Sequence, residues 1–147
     1  AEFNVAFDPE AAHVVFEAFP QFDLADWEAT IAHGFHHDKA EAWLQADSPR
    51  ARFYDAISLQ TRRWSEDSRG ELWHSADAVA MAFALHPEGA QRMESRPVQV
   101  ETEGKLTRGA TITDWNRQTG RSDNARILLQ YDQARFEALV AAALGVK

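Results

Sequence analysis

Apolar side chains recur at helical spacing near both ends of the chain. The first set has the spacing i, i+3, i+4 and i+7, which gives a helix one apolar face: Ala12, Val15, Phe16 and Phe19. Asp8 and Pro9 stand just before it and suit the cap and first position of a helix. Asp132, which suits a helix cap, and Gly145, which suits a helix end, likewise flank an apolar stripe at the end of the chain. The pattern predicts helices near 9–19 and 132–144.

One long helix and two short ones are predicted between them. Ser48 and Pro49 are typical of a helix start, and this helix is expected near 49–64 with one apolar face, formed by Phe53, Ile57 and Trp64. The polar stretch SEDSRGEL that follows is interpreted as a loop. The run AVAMAFAL is apolar on all sides and rich in alanine, which favours a short buried helix near 77–86. A helix from Asp38 to Leu44 is also expected.

Alternation of apolar and polar residues predicts the strands. Three are expected in the final third, near 97–102, 109–114 and 125–131, and one earlier, at Phe22–Trp27. At the start of the chain Glu2 and Asn4 would share one face if the segment is extended, because side chains alternate sides in a strand. This predicts an α/β fold with a mixed sheet. In such sheets ligands bind at strand ends, although a frayed terminus with two surface residues explains the same spacing.

Composition limits the class of protein. The chain has 147 residues, of which 45% are hydrophobic, as expected for one globular domain. Cysteine is absent, which excludes disulfides, thiolate zinc sites and a cysteine nucleophile and fits a cytoplasmic protein. The net charge of −8 argues against a general nucleic-acid binder, and no apolar run is long enough to cross a membrane.

The segment WHSADAVAMAFAL holds the internal residues best suited to chemistry. Asp77 at the head of the predicted helix can act as a cap, or as an oxygen ligand for a hard cation. His74 can donate a proton to a leaving group, or lie on the surface as an ordinary histidine. Trp64 and Trp73 can stack on a flat base, or pack as core residues. The patterns alone leave these alternatives open.

Four segments of the chain together suggest a family. In order along the chain they are AEFNVAFDPEAA, ADAVAMAFAL with HPE, VETEGKLTRGATITDW and DNARILLQYDQARFEAL. This order resembles the C-terminal half of the inosine–uridine-preferring nucleoside hydrolases; the Glu-x-Asn before DPEAA and the LTRG-T-x-x-D pattern are the most specific parts. The resemblance implies an open mixed sheet with flanking helices. It also implies cleavage of the N-glycosidic bond of ribonucleosides to ribose plus base.

The resemblance assigns roles to three residues. By position, Glu2 and Asn4 correspond to the pair that hydrogen-bonds the ribose hydroxyls, and Asp77 to the aspartate that completes a Ca²⁺ site. The family's ion holds the ribose 2′- and 3′-hydroxyls and the attacking water. We therefore expect Glu2 and Asn4 to point into a cleft that also receives Asp77.

The chain also departs from the family pattern. Ala76 stands where many members have a histidine or tryptophan that contacts the leaving group, so His74 and Trp73 are the candidates for that contact. The family's Asp-rich loop, which supplies the general base and most metal ligands, is not in these residues. Residues 1–147 are thus expected to form the C-terminal portion of the domain, inactive alone. Its partners would be a ribonucleoside, an N-terminal portion and further copies of itself.

A second function class remains open. The chain could be a non-catalytic module with the same fold that binds a sugar or a protein. An Asp-rich segment ahead of Ala1 favours the enzyme, whereas a true start at Ala1 favours the binding module.

Overall fold

A computed structural model describes residues 1–70 and 72–146, with only the backbone at Arg69. The helices of this part are α1 Phe3–Phe7, α2 Pro9–Ala18, α3 Trp27–Ala32, α4 His37–Leu44, α5 Pro49–Arg69, α6 Ala76–Leu85 and α7 Gln133–Leu144. The strands are β1 Phe22–Leu24, β2 Phe35–His36, β3 Leu72–Trp73, β4 Ala90–Arg96, β5 Val98–Val100, β6 Thr111–Thr113 and β7 Ala125–Tyr131. A 3₁₀ turn, Pro87–Gly89, joins α6 to β4.

Three small sheets carry these strands. The largest has the order β1-β7-β4, in which β1 and β7 run parallel. β2 pairs with β3, and β5 with β6, each antiparallel. Together with the flanking helices these sheets give the α/β fold that the sequence predicted. In the described part of the chain, no helix is both long and apolar enough for a bilayer crossing.

The chain divides into two compact units. The first comprises Ala1–Trp27 and Arg92–Leu129. Its core is formed by Val98, Ala125 and Ile127, against which the partly buried Phe16, Phe22, Leu24 and Leu129 pack. Asn124 lies beside this core and joins α2 to β5, since its amide donates to the Phe16 carbonyl and its oxygen accepts the Val98 N–H. Every polar atom of that partly buried amide thereby gains a partner, which offsets the cost of removing the amide from water.

The second unit comprises Glu28–Gln91 and Gln130–Lys147. Phe35, Trp43, Tyr131 and Phe136 form an aromatic cluster in its core. His33 is buried beside them. Its Nδ1–H donates to the Ala29 carbonyl at 2.7 Å and its Nε2 accepts the Tyr131 N–H at 2.9 Å. The ring therefore ties α3 to the end of β7.

Elements with both a cap and a periodic apolar pattern follow the prediction closely. Asp8 caps α2 through the Ala11 N–H, and Asp132 caps α7 through the Arg135 N–H. β7 has the predicted bounds, and β5 and β6 are shorter than predicted. The early strand ends at Leu24, before α3 begins at Trp27.

Two helices differ from the prediction. α5 continues through the residues interpreted as a polar loop, to Arg69, because Ser65 in that stretch is buried; Glu71 of the same stretch lies outside the described residues. α6 is a helix as predicted, but only one side of it is buried, at Val79, Ala82 and Phe83. The opposite side is an exposed apolar surface, the α6 stripe, formed by Ala76, Ala80, Met81, Ala84 and Leu85.

Candidate functional site

The first four residues are not a strand, which corrects the sequence prediction. Glu2 is the N-cap of α1, and its Oε2 accepts the Val5 N–H at 2.9 Å. Asn4 lies in the first turn of that helix and is exposed. The Glu2 side chain satisfies a backbone N–H in the first turn of α1, which favours a helix at this point. An alternating pattern of only four residues is too short to favour a strand over it. Glu2 and Asn4 therefore lie at a helix start and not on one face of a strand.

The two most specific sequence blocks meet in the first unit. The Glu2 N–H donates to the Gly109 carbonyl at 3.1 Å, and the Arg108 guanidinium binds the Glu10 carboxylate at 2.7 Å. The hydrogen bond from Arg108 is the main cause of the lowered pKa of Glu10. The LTRG turn therefore holds the start of the chain in place. No local pattern in the sequence predicts this contact, since the two blocks lie about a hundred residues apart.

The turn that carries Arg108 and Gly109 is itself built on a carboxylate. Glu101 Oε1 accepts the N–H groups of Glu103 and Gly104 at 2.8 and 3.0 Å. These backbone N–H groups hold the pKa of Glu101 below its ordinary value. The Gly109 N–H closes the turn on the Glu101 carbonyl. An ionised carboxylate thus stabilises the loop that contacts Glu2.

Asp77 lies in the second unit, as the second residue of α6. The N-cap is Ser75, so the cap assigned to Asp77 as one alternative is not formed. The Asp77 side chain is exposed in the first helical turn, where a carboxylate gains from the positive end of the helix dipole. The described residues include no group of three or more acidic, histidine or cysteine side chains placed to hold a metal. In this part of the chain Asp77 can give a cation one carboxylate, and further ligands must come from elsewhere.

The two candidates for contact with a leaving base are held within the second unit. The Trp73 indole N–H donates to the Tyr54 hydroxyl at 3.3 Å. Both ring nitrogens of His74 are buried, and Gly34 leaves the space that the ring occupies, since a Cβ there would lie 3.0 Å from His74 Nε2. Both residues are thus partly buried and packed against their own unit.

A cavity of ≈190 Å³ lies next to the start of α6. Ser75 and Ala78, on either side of Asp77 in sequence, contribute to its wall together with Tyr54 and Trp73. Arg62 also lines the cavity. Its guanidinium is buried and binds Asp55 at 2.6 Å and also the Ser58 hydroxyl. These polar residues of α5 were not predicted as site residues, because they lie on the side of the helix opposite the apolar pattern that predicted it.

Comparisons with known proteins agree on one family. The family model described as inosine-uridine preferring nucleoside hydrolase matches residues 1–138. The pyrimidine-specific ribonucleoside hydrolase RihA of Citrobacter koseri is 30% identical over 149 residues, which cover 99% of this chain and 47% of that protein. RihA of Escherichia fergusonii is also 30% identical, over 98% of this chain and 47% of its own length.

Solved structures show the same relationship. An inosine-guanosine nucleoside hydrolase superposes with a TM-score of 0.85 and 26% identity, over 99% of this chain and 46% of that one. The plant nucleoside hydrolase PpNRh1 superposes with a TM-score of 0.86 over 100% of this chain and 48% of its own, and at 18% identity it shows the fold alone. The chain therefore spans about half the length of the relatives it matches.

Proposed function

Because the chain belongs to the inosine-uridine preferring nucleoside hydrolase family, we propose that it is part of a nucleoside N-ribohydrolase. The reaction would cleave the N-glycosidic bond of a ribonucleoside to ribose plus base. Support comes from the names of two relatives, which are pyrimidine-specific ribonucleoside hydrolases. The observation that carries the proposal is the contact of Glu2 with Gly109, which joins the two blocks most specific to the family.

Glu2 and Asn4 are proposed to bind the sugar. A carboxylate accepts hydrogen bonds from hydroxyl groups, and an amide both donates and accepts, so the pair suits two neighbouring ribose hydroxyls. Glu2 is half-buried and its backbone is held by Gly109, which positions the carboxylate. Negative charge near the sugar also stabilises an oxocarbenium ion as it develops.

Asp77 is proposed as one ligand of a calcium ion. Its exposed carboxylate is the ligand type that Ca²⁺ prefers, but Ca²⁺ takes about six to eight oxygens. When bound, the ion would hold the ribose hydroxyls and the attacking water. The general base and the other ligands are proposed to come from an N-terminal portion of the same fold. His74 and Trp73 are the candidates in this chain for contact with the leaving base.

The 147-residue chain alone is therefore expected to hydrolyse nucleosides far more slowly than the complete enzyme. A positioned general base is typically worth about 10²–10⁴-fold, and electrostatic organisation often more. We also propose a cytoplasmic location and a homo-oligomeric enzyme.

The test is an assay of hydrolysis with inosine and uridine in the presence of Ca²⁺. The purified chain is measured alone and after mixing with an N-terminal half taken from a family relative. Activity that appears on mixing and is lost in Asp77→Ala supports the proposal. Asp38→Ala is the matched control, because Asp38 is also the exposed second residue of a helix, α4, and should leave activity unchanged.

Two outcomes would contradict the proposal. Full activity of the chain alone would show that the catalytic groups lie within it. Binding of nucleoside or ribose by the mixture without any hydrolysis would favour the non-catalytic binding module instead.

A further inference from the structure

The cavity beside the start of α6 is formed by elements of the second unit. Its volume of ≈190 Å³ lies between the four helices α4 to α7 and the strands β2 and β3. Phe35, Leu44 and Trp43 of its wall are only 2%, 7% and 9% exposed. The cavity therefore reaches into the interior of this unit.

The space exists because small side chains stand where three helices face it. Ala40 of α4, Ala78 of α6 and Ala143 of α7 all line the cavity. Protein interiors are normally close-packed, and an empty space of this size is unfavourable because the atoms around it lose van der Waals partners. A molecule that restores those contacts would be bound favourably.

Aromatic rings form much of the wall. Phe35, Trp43, Tyr54 and Trp73 all contribute to it. Phe35 meets Trp43 edge to face, with the ring centroids 5.2 Å apart, and Tyr54 is joined to Trp73 by a hydrogen bond of 3.3 Å. Aromatic rings attract further rings in edge-to-face and offset arrangements, beyond the gain from burial. The wall therefore suits a flat aromatic ligand.

Most polar side chains of the wall are already hydrogen-bonded. The Trp73 indole bonds to the Tyr54 hydroxyl, and the Arg62 guanidinium binds the Asp55 carboxylate. Among the described residues, Ser75 adds one further polar side chain to a wall that is otherwise apolar. A ligand with several polar atoms would lose its hydrogen bonds to water without replacing them. This argues against a nucleobase, whose ring carries several donors and acceptors.

The volume fits a single substituted ring. An engineered apolar cavity of about 150 Å³ in another protein stays dry and binds benzene. The cavity described above has a volume of ≈190 Å³, which leaves room for a ring that carries a small apolar substituent.

We propose that this cavity is a binding site for a small apolar aromatic molecule with one ring, of the class of toluene. The ligand would fill the space that the three alanines leave and would contact the four aromatic side chains. Water is a poor alternative occupant, because it needs two to four polar partners and the wall offers few that are not engaged. This inference does not depend on the proposed enzymatic activity.

The first test titrates the 147-residue chain with toluene, and separately with phenol, and follows the alanine methyl resonances by NMR. Toluene should bind at one saturable site with a Kd of about 0.1–1 mM and shift the resonances of Ala40 and Ala78. Phenol has the same size but should bind at least about tenfold more weakly, because its hydroxyl loses hydrogen bonds to water. Ala125 is the control, since it lies in the core of the first unit and its resonance should not shift.

The second test fills the cavity with a side chain of the protein. Ala40→Leu and Ala78→Leu should each abolish toluene binding, because the added atoms take the space of the ligand. Ala42→Leu is the matched control, since Ala42 is exposed on the same helix as Ala40 and is not part of the wall. This variant should keep the wild-type Kd. Circular dichroism checks that each variant is folded, and the two filling variants are independent of each other.

Four results would overturn the inference. Toluene could fail to bind saturably, or phenol could bind as tightly as toluene. Toluene binding that persists in folded Ala40→Leu and Ala78→Leu would place the site elsewhere. Toluene binding that is lost when an N-terminal half is added would show that this half occupies the cavity.

Discussion

Gly109 packs its backbone directly against Ala6. A Cβ atom at residue 109 would lie 2.5 Å from the Ala6 Cα, and the φ angle of +83° at Gly109 also disfavours any other residue. The start of the chain and the LTRG turn can approach each other only because a glycine stands there. This contact supports Glu2, whose N–H donates to the Gly109 carbonyl.

Gly109→Ala should therefore destabilise the first unit by about 2–5 kcal/mol, through backbone strain and the clash with Ala6. Urea unfolding measures the loss. Gly120→Ala is the matched control, because Gly120 has a similar positive φ of +67° but open space at the Cβ position. Gly120→Ala should lower the free energy of unfolding by the backbone strain alone, about 1–2 kcal/mol. Equal losses in the two variants would contradict the close contact with Ala6.

Tyr131→Phe should destabilise the second unit by about 1 kcal/mol, because it removes a buried hydrogen bond without changing the ring. The Tyr131 hydroxyl lies 2.8 Å from the His86 carbonyl and 3.2 Å from the Ala82 carbonyl, at the end of α6. Thermal unfolding measures the change. Tyr54→Phe is the control, because Tyr54 is half-exposed and its hydroxyl accepts a longer hydrogen bond, of 3.3 Å, from the Trp73 indole. A larger loss for Tyr54→Phe would contradict this role of Tyr131.

Burial raises the pKa of Tyr131 above its ordinary value of 10.0. The folded state therefore holds the phenol proton more tightly than the unfolded state, and this contribution to stability is complete below pH 10.0 and is lost as pH rises further. The alkaline fall in the free energy of unfolding should be smaller in Tyr131→Phe. An identical alkaline fall in wild type and variant would show that another group causes it.

Acid should open the loop that follows β6. Asp114 accepts the N–H groups of Thr119 and Gln118 and the Thr119 hydroxyl, and the two backbone bonds are the main reason that its pKa lies below 3.8. A lowered carboxyl pKa stabilises the fold above the unfolded value of 3.8, and this stabilisation is lost as pH falls through the lower folded value. The amide resonance of Thr119 should shift over that range. In Asp114→Asn the shift should be absent; its persistence would contradict the assignment.

In the complete enzyme, Glu2→Ala should lower kcat/KM for nucleosides by the equivalent of about 1–3 kcal/mol, through lost charge-assisted hydrogen bonds to the sugar. Steady-state kinetics with inosine and uridine measure this. Glu17→Ala is the control, since Glu17 is a surface glutamate of α2 that pairs with Arg121. Because Glu2 also caps α1, the unfolding midpoint of both variants is compared. An unchanged kcat/KM for Glu2→Ala would contradict its proposed role at the sugar.

The sequence predicted well those elements whose ends carry local chemical signals. The caps Asp8 and Asp132 and the closing Gly145 act within one turn of the helices that they end, so their effect does not depend on distant residues. The first residues misled the prediction for the same reason. Glu2 is also a cap, but alternation with Asn4 was interpreted as a strand because a side-chain cap by glutamate is less distinctive than one by aspartate or serine.

The parts that could not be predicted depend on contacts between distant residues. The close approach of Gly109 to Ala6 joins positions that are about a hundred residues apart, and no local pattern indicates it. The periodicity of α5 gave the helix and its apolar face, but not which face is buried. The buried face is the one that carries Arg62, whose guanidinium binds Asp55, and the spacing of the apolar residues does not indicate this pairing. The position of Asp77 in the first turn of α6 was predicted from the sequence, because the apolar run AVAMAFAL begins directly after it.

The first unit is assembled from two pieces of chain that are far apart in synthesis. Its β1 pairs with β7, so the parallel ladder cannot form at Phe22 until Ala125 has been synthesised. At translation rates of about 5–20 residues per second, the interval is roughly 5–20 s. During that time Phe3, Phe7 and Val14, exposed even in the folded chain, have no sheet beside them, and the nascent segment is open to chaperones. The second unit is completed later still, because its core includes Tyr131 and Phe136, which follow the last residue of the first unit.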